Sequence, residues 1–295
     1  MVKAKKRIII PIILIFVIIL ITILSIYIYG EIQSLPTEEV KEECNIETKK
    51  YSDRNVYILS PKNNTSSDKI ILYCHGGAYI GELTKTHWSF LKSIAIDTGY
   101  TIIIPEYPLT PLYNYEDVFE FMEPLYKEII NKIDANKLIL MGDSAGGGLS
   151  LALVQKMGEE GIQMPAKTIL ISPWIDVRME NPKIKEIEEK DNVINVANLK
   201  LAGIAYAGTN GMESYLVNPI DGPLDKLKNI VIFTGTYDVL NPDVHVLIKR
   251  AEEKNVQITL KETVGARHTW ILNKDDENEY MAKEDYEILI QEIKN

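Results

Sequence analysis

Cysteine is nearly absent from this chain: Cys44 and Cys74 are the two among 295 residues. Two thiols make no disulfide framework, and neither has a second ligand at short spacing, which argues against a zinc module. Histidine is almost as scarce, with four in the chain. Any chemistry that needs an imidazole must choose among His75, His87, His245 and His268. Basic residues are outnumbered, 32 Lys and Arg against 42 Asp and Glu, for a net charge of -10. Lys3, Lys5, Lys6 and Arg7 all precede the first acidic residue, Glu31, so the rest of the chain is more acidic still. An acidic body is a poor partner for nucleic acid. Internal repeats and low-complexity stretches are lacking too, and the length suits one large domain or two small ones.

One long apolar run is present. Residues 8–29 carry no charge, and as a helix they would span about 33 Å at about 1.5 Å per residue. Basic residues precede the run and acidic ones follow it, which orients the N-terminus to the cytoplasm. The expectation is a transmembrane anchor over residues 1–30 and an acidic stem or cap-contributing segment over residues 31–54. The catalytic body would then be extracytoplasmic or lumenal in a single-pass protein. A cleaved signal peptide fits less well, because its apolar core is usually about 7–15 residues and a small-residue cleavage site should follow.

Residues 55–295 alternate between apolar runs and helical periodicity. Strands are predicted over 55–60, 70–74, 100–104, 138–141, 168–171, 230–234 and 257–262. Helices are predicted over 84–98, 115–133, 149–157, 244–254 and 284–293. That rhythm implies an α/β fold, a mostly parallel central sheet with helices on both faces. Residues 178–218 break the rhythm and read as a small cap insertion, weakly helical near 196–206.

The stretch with most chemical content is Gly142-Asp143-Ser144-Ala145-Gly146-Gly147. It joins a predicted strand to a predicted helix, the setting of a nucleophile elbow, G-x-S-x-G. Ser144 would stand on a turn too tight for bulk two residues away on either side. A serine hydroxyl needs a base, and histidine both takes and returns a proton near neutral pH. His268 follows the last predicted strand and fits that task. His245 falls inside a predicted helix, His87 near the start of another, and His75 in a loop it would shape. Asp238 follows the strand over 230–234, so the order Ser144, Asp238, His268 is that of the α/β-hydrolases. Asp243 competes for the acid role but reads as a helix cap, and Asp143 as structural. His75-Gly76-Gly77-Ala78 follows the strand over 70–74, where an oxyanion loop belongs. Its Gly77 and Ala78 N–H groups, with Ala145 N–H, are the candidate oxyanion donors.

Together these motifs resemble the hormone-sensitive-lipase-like group of α/β-hydrolases. Tyr107-Pro108-Leu109-Thr110-Pro111 is similar to that family's Tyr-Arg-Leu-Ala-Pro stretch, and Ser172-Pro173-Trp174-Ile175-Asp176 to its Ser-Pro-Trp-x-Asp segment. The resemblance covers roughly residues 55–295. It implies hydrolysis of carboxylic esters, a cap and no cofactor. Ala78 departs from the family's third glycine, and Pro108 from its arginine. The expectation is a serine esterase for short- to medium-chain acyl esters, with a small-molecule or lipid-like substrate. Alternatives are an amidase or peptidase with the same triad, and a binding protein on a hydrolase scaffold.

Overall fold

The computed structural model describes residues 35–63, 67–274 and 280–295. A short helix, α1 (Glu38–Glu43), leads into β1 (Cys44–Tyr51) and β2 (Arg54–Pro61). Then come β3 (Ile70–Cys74), α2 (Lys85–Thr98), β4 (Thr101–Pro105), α3 (Tyr115–Lys132) and β5 (Leu138–Asp143). The chain continues through α4 (Ser144–Glu159), β6 (Lys167–Ile171), α5 (Ile184–Ile187) and α6 (Val196–Ala207). It closes with β7 (Ile230–Gly235), α7 (Asn241–Glu253), β8 (Ile258–Thr263) and α8 (Tyr280–Lys294).

The described strands form one sheet of order β1-β2-β4-β3-β5-β6-β7-β8. β2 pairs antiparallel with β1 and β4, and from β4 to β8 all pairings are parallel. Alternation along the strands divides the core between the two faces. Leu72, Leu140 and Ile232 point to the face covered by α3, α4 and α7. Ile71, Tyr73, Met141 and Phe233 point to the face covered by α2 and α8. Burying each such side chain contributes roughly 1.5–3 kcal/mol, and the two-sided cover explains why the central strands are apolar throughout.

Two expectations need correction. No helix among the described residues is long and apolar enough to cross a membrane. The expected anchor over residues 8–29 lies outside the described residues. Among those described, α3 reaches 18 residues, but Glu116, Asp117, Glu120, Glu123 and Glu128 line it, and a bilayer core rejects such charges. The transmembrane helix is therefore withdrawn from the fold class. The single-pass, extracytoplasmic or lumenal placement rested on that span and falls with it. Residues 44–51, read as stem, instead form β1, paired along its length with β2 from Cys44–Pro61 to Tyr51–Arg54.

Candidate active site

β5 ends in the elbow because two glycines permit it. A Cβ on Gly142 would lie 2.4 Å from the Gly146 carbonyl oxygen, and one on Gly146 would lie 2.0 Å from that of Cys74. With hydrogen at both positions, the start of α4 packs directly on the end of β3. Ser144 then sits at φ 51°, in the left-handed region. This costs a non-glycine residue roughly 1–3 kcal/mol and is held only by surrounding structure. Part of that support is the Trp174 N–H, which donates to the Ser144 carbonyl at 2.8 Å.

The loops after β7 and β8 bring Asp238 and His268 to this corner. Tyr237 N–H donates to the Ala266 carbonyl at 3.0 Å, and Gly265 N–H to the Thr236 hydroxyl at 2.8 Å. A Cβ on Gly235 would stand 2.2 Å from the Ala266 oxygen, so glycine lets the two loops close. His268 Nε2 lies 2.9 Å from Ser144 Oγ, and His268 Nδ1 lies 3.1 Å from Asp238 Oδ2. Asp238 is fully buried, and its other oxygen accepts from Leu240 N–H at 2.9 Å. That arrangement places the ring proton on Nδ1 and leaves Nε2 to accept from the serine. Burial alone would lower the His268 pKa. The charge and hydrogen bond of Asp238, with the charges of Asp191 and Asp143, outweigh burial and raise it above the ordinary 6.5.

Ser144 and His268 open into a cleft of about 530 Å³, lined on one side by Gly77 and Ala78 and on the other by Val193, Ile194, Leu199 and Ala202. Asp238 stands behind His268. The Ala145 side chain is buried, and its N–H belongs to the first turn of α4, where amides have no carbonyl four residues back. Gly77 has φ 118° and Ala78 φ 55°. The Gly77 carbonyl is engaged by Ile80 and Gly81 N–H at 3.0 and 2.7 Å. Ala78 thus takes up a conformation that favours glycine.

The insertion between β6 and β7 reaches over this loop. Tyr206 of α6 stacks on Tyr79 with ring centroids 3.6 Å apart, and α6 supplies Leu199 and Ala202 to the cleft. His75 does not line the cleft. Its ring stacks on Tyr107 at 4.5 Å, Nδ1 donates to the Gly76 carbonyl at 2.7 Å, and burial lowers its pKa to about 4. His245 pairs with Glu262 on the surface at 2.6 Å. Asp243 does not cap its helix, which begins earlier at Asn241. Its carboxyl accepts from Asn181 instead, and burial pushes it up to about 6.

Three groups in the site were given no role there by the sequence. His87 lines the cleft. Its Nδ1 accepts from Thr84 N–H at 3.1 Å in a capping box, which turns Nε2–H toward Asp143 Oδ2 at 3.4 Å. The Thr84-x-x-His87 spacing is the signal that could have found it. Ser172 Oγ accepts from Thr269 N–H at 3.0 Å and so fixes the residue after His268. Asp191 Oδ2 accepts from Val239 N–H at 3.1 Å, beside Asp238.

Asp143, read as structural, proves to be the hub of the oxyanion loop. Oδ1 accepts from Tyr73 O–H at 2.6 Å and Gly76 N–H at 2.8 Å. Burial works to raise its pKa, but His87, Tyr73 and Gly76 prevail and lower it. Asp143→Ala would strand those donors in the interior. We expect a loss of about 2 kcal/mol or more in urea unfolding, with activity reduced because Gly76 precedes the oxyanion residues. Unchanged unfolding would contradict this role.

Residues 71–272 match the profile of a family described as alpha/beta hydrolase fold. An esterase of Acinetobacter venetianus is 26% identical over 207 residues, 69% of this chain and 68% of that protein. An acetyl-hydrolase of Streptomyces hygroscopicus is 25% identical over 203 residues, 68% of each. A hormone-sensitive lipase from a metagenome library superposes with a TM-score of 0.79 at 23% identity, over 86% of this chain and 84% of that one. At that identity the likeness speaks for the fold alone. The chain belongs to the α/β-hydrolase fold family, as an esterase-like serine hydrolase of carboxylic esters.

Proposed function

We propose that the protein cleaves short- to medium-chain acyl esters through an acyl-enzyme on Ser144. The observation that carries this reading is the 2.9 Å approach of Ser144 Oγ to His268 Nε2 at the foot of the cleft. His268 takes the hydroxyl proton as Oγ attacks the ester carbonyl. Asp238 keeps the ring proton on Nδ1 and stabilises the imidazolium. The Gly77, Ala78 and Ala145 N–H groups receive the oxyanion. The imidazolium then protonates the departing alcohol, and water, deprotonated by His268, releases the acid. Residues 178–218 act as the cap that shapes the substrate side of the cleft.

The test is hydrolysis of p-nitrophenyl esters of increasing acyl length, with Ser144→Ala as control. Turnover that depends on the serine and prefers short to medium acyl groups is expected. A folded protein inert at every length, and unreactive toward a serine-directed phosphonate, would contradict the proposal and favour a binding scaffold.

A further inference from the structure

Asp191 has no place in the chemistry described above, yet it is 5% exposed and both of its oxygens are occupied. Oδ1 accepts from Val193 N–H at 2.9 Å and Ile194 N–H at 3.2 Å. Oδ2 crosses to the loop after β7 and accepts from Val239 N–H at 3.1 Å. Val193 and Ile194 line the cleft, while Val239 directly follows Asp238. Its neighbour Lys190 lies over the Tyr237 ring at 5.0 Å, so two consecutive residues of the insertion grip the residues on either side of Asp238. Three backbone donors, shared between its two oxygens, fix the orientation of this carboxylate.

We infer that Asp191 is a positioning residue: it fixes the loop that carries Asp238 and, with the same carboxylate, builds the cleft wall at Val193 and Ile194. The inference rests on Asp238 being the acid of the triad. The substrate wall and the acid thereby share one anchor, so a displaced insertion also displaces the Asp238–His268 hydrogen bond. Asp191 acts on His268 electrostatically as well. The acidic groups that favour its charged form are Asp238, Asp191 and Asp143, and His87 shares its cleft.

The experiment compares Asp191→Asn, Asp191→Glu and Asp238→Asn in the full chain, with thermal unfolding as the check on folding. Asp191→Asn keeps the shape but loses the charge and one acceptor. We expect kcat to fall between about 10-fold and 100-fold, the scale of a small misplacement in the site. The acid limb of kcat/KM should move to lower pH, because a negative charge that favours the imidazolium is gone. Asp191→Glu keeps the charge, so it should lose kcat while its acid limb stays at the wild-type position. It carries the test if the amide variant does not fold. Wild-type kcat and an unmoved acid limb in the folded Asp191 variants, with Asp238→Asn inactive, would overturn this inference alone. Full activity in Asp238→Asn would overturn the triad on which it rests.

Discussion

Ser144→Ala is expected to lower kcat on the order of 10⁵–10⁶-fold, as loss of a triad nucleophile does elsewhere, while the protein remains folded. The substitution removes one oxygen and keeps the Cβ, so the φ of 51° and the packing of the elbow are undisturbed. The lost bond is the one to His268 Nε2 at 2.9 Å. Ser144 is only 7% exposed, but the group removed is small and leaves His268 with access to water in the cleft. Stability should change by less than about 1 kcal/mol. A variant that retains more than a few per cent of wild-type turnover would show that the nucleophile lies elsewhere.

Asp238→Asn should cost about 10⁴-fold in kcat, because an amide in this position imposes the wrong tautomer. The local bonding makes the outcome specific. Leu240 N–H donates to Oδ1 at 2.9 Å, so the amide oxygen of the variant stays there and its NH₂ turns to His268. Nδ1 must then accept, the ring proton moves to Nε2, and Ser144 loses its base. Asp238 is also the chief opponent of burial in raising the His268 pKa. In the wild type the acid limb of kcat/KM should therefore lie above about 6.5, with activity lost as pH falls through it. In the variant the residual activity should have its limb at lower pH. A kcat within 10-fold of wild type, or an unmoved limb, would contradict the role of Asp238.

The elbow, and the positions of Asp238 and His268 in loops that converge on Ser144, were legible because each depends on local sequence. Glycines two residues either side of Ser144 mark a turn without room for side chains. The choice of His268 among four histidines follows from its place after the last strand. β1 was not legible for a physical reason. Its sequence, Cys-Asn-Ile-Glu-Thr-Lys-Lys-Tyr, is exposed along most of its length. As an edge strand it shows little of the alternation that betrays a half-buried one. The apolar run at residues 8–29 was the most conspicuous feature by hydropathy, yet the described helices supply no membrane span.

Long-range bonds were the least legible part. Asp191 belongs to none of the sequence motifs, and its partner Val239 lies 48 positions further on. His87 reads as the start of a helix, and it enters the site only because Asp143 draws the oxyanion loop and the capping box of α2 together. Thr84, three residues before it, fixes which ring nitrogen faces the carboxylate. The residues proposed to react sit where their motifs predict them, whereas the bonds by which Ser172, Asp143 and Asp191 hold the site run to partners that only the fold brings near.

The central claim is a covalent acyl group on Ser144. Its most direct test is the intact mass of the enzyme quenched with acid during turnover of a p-nitrophenyl ester, followed by peptide mapping. The account predicts an added mass equal to the acyl group, located on the peptide containing Ser144 and absent from Ser144→Ala. Turnover with no adduct at any quench time, or an adduct on another residue, would contradict it.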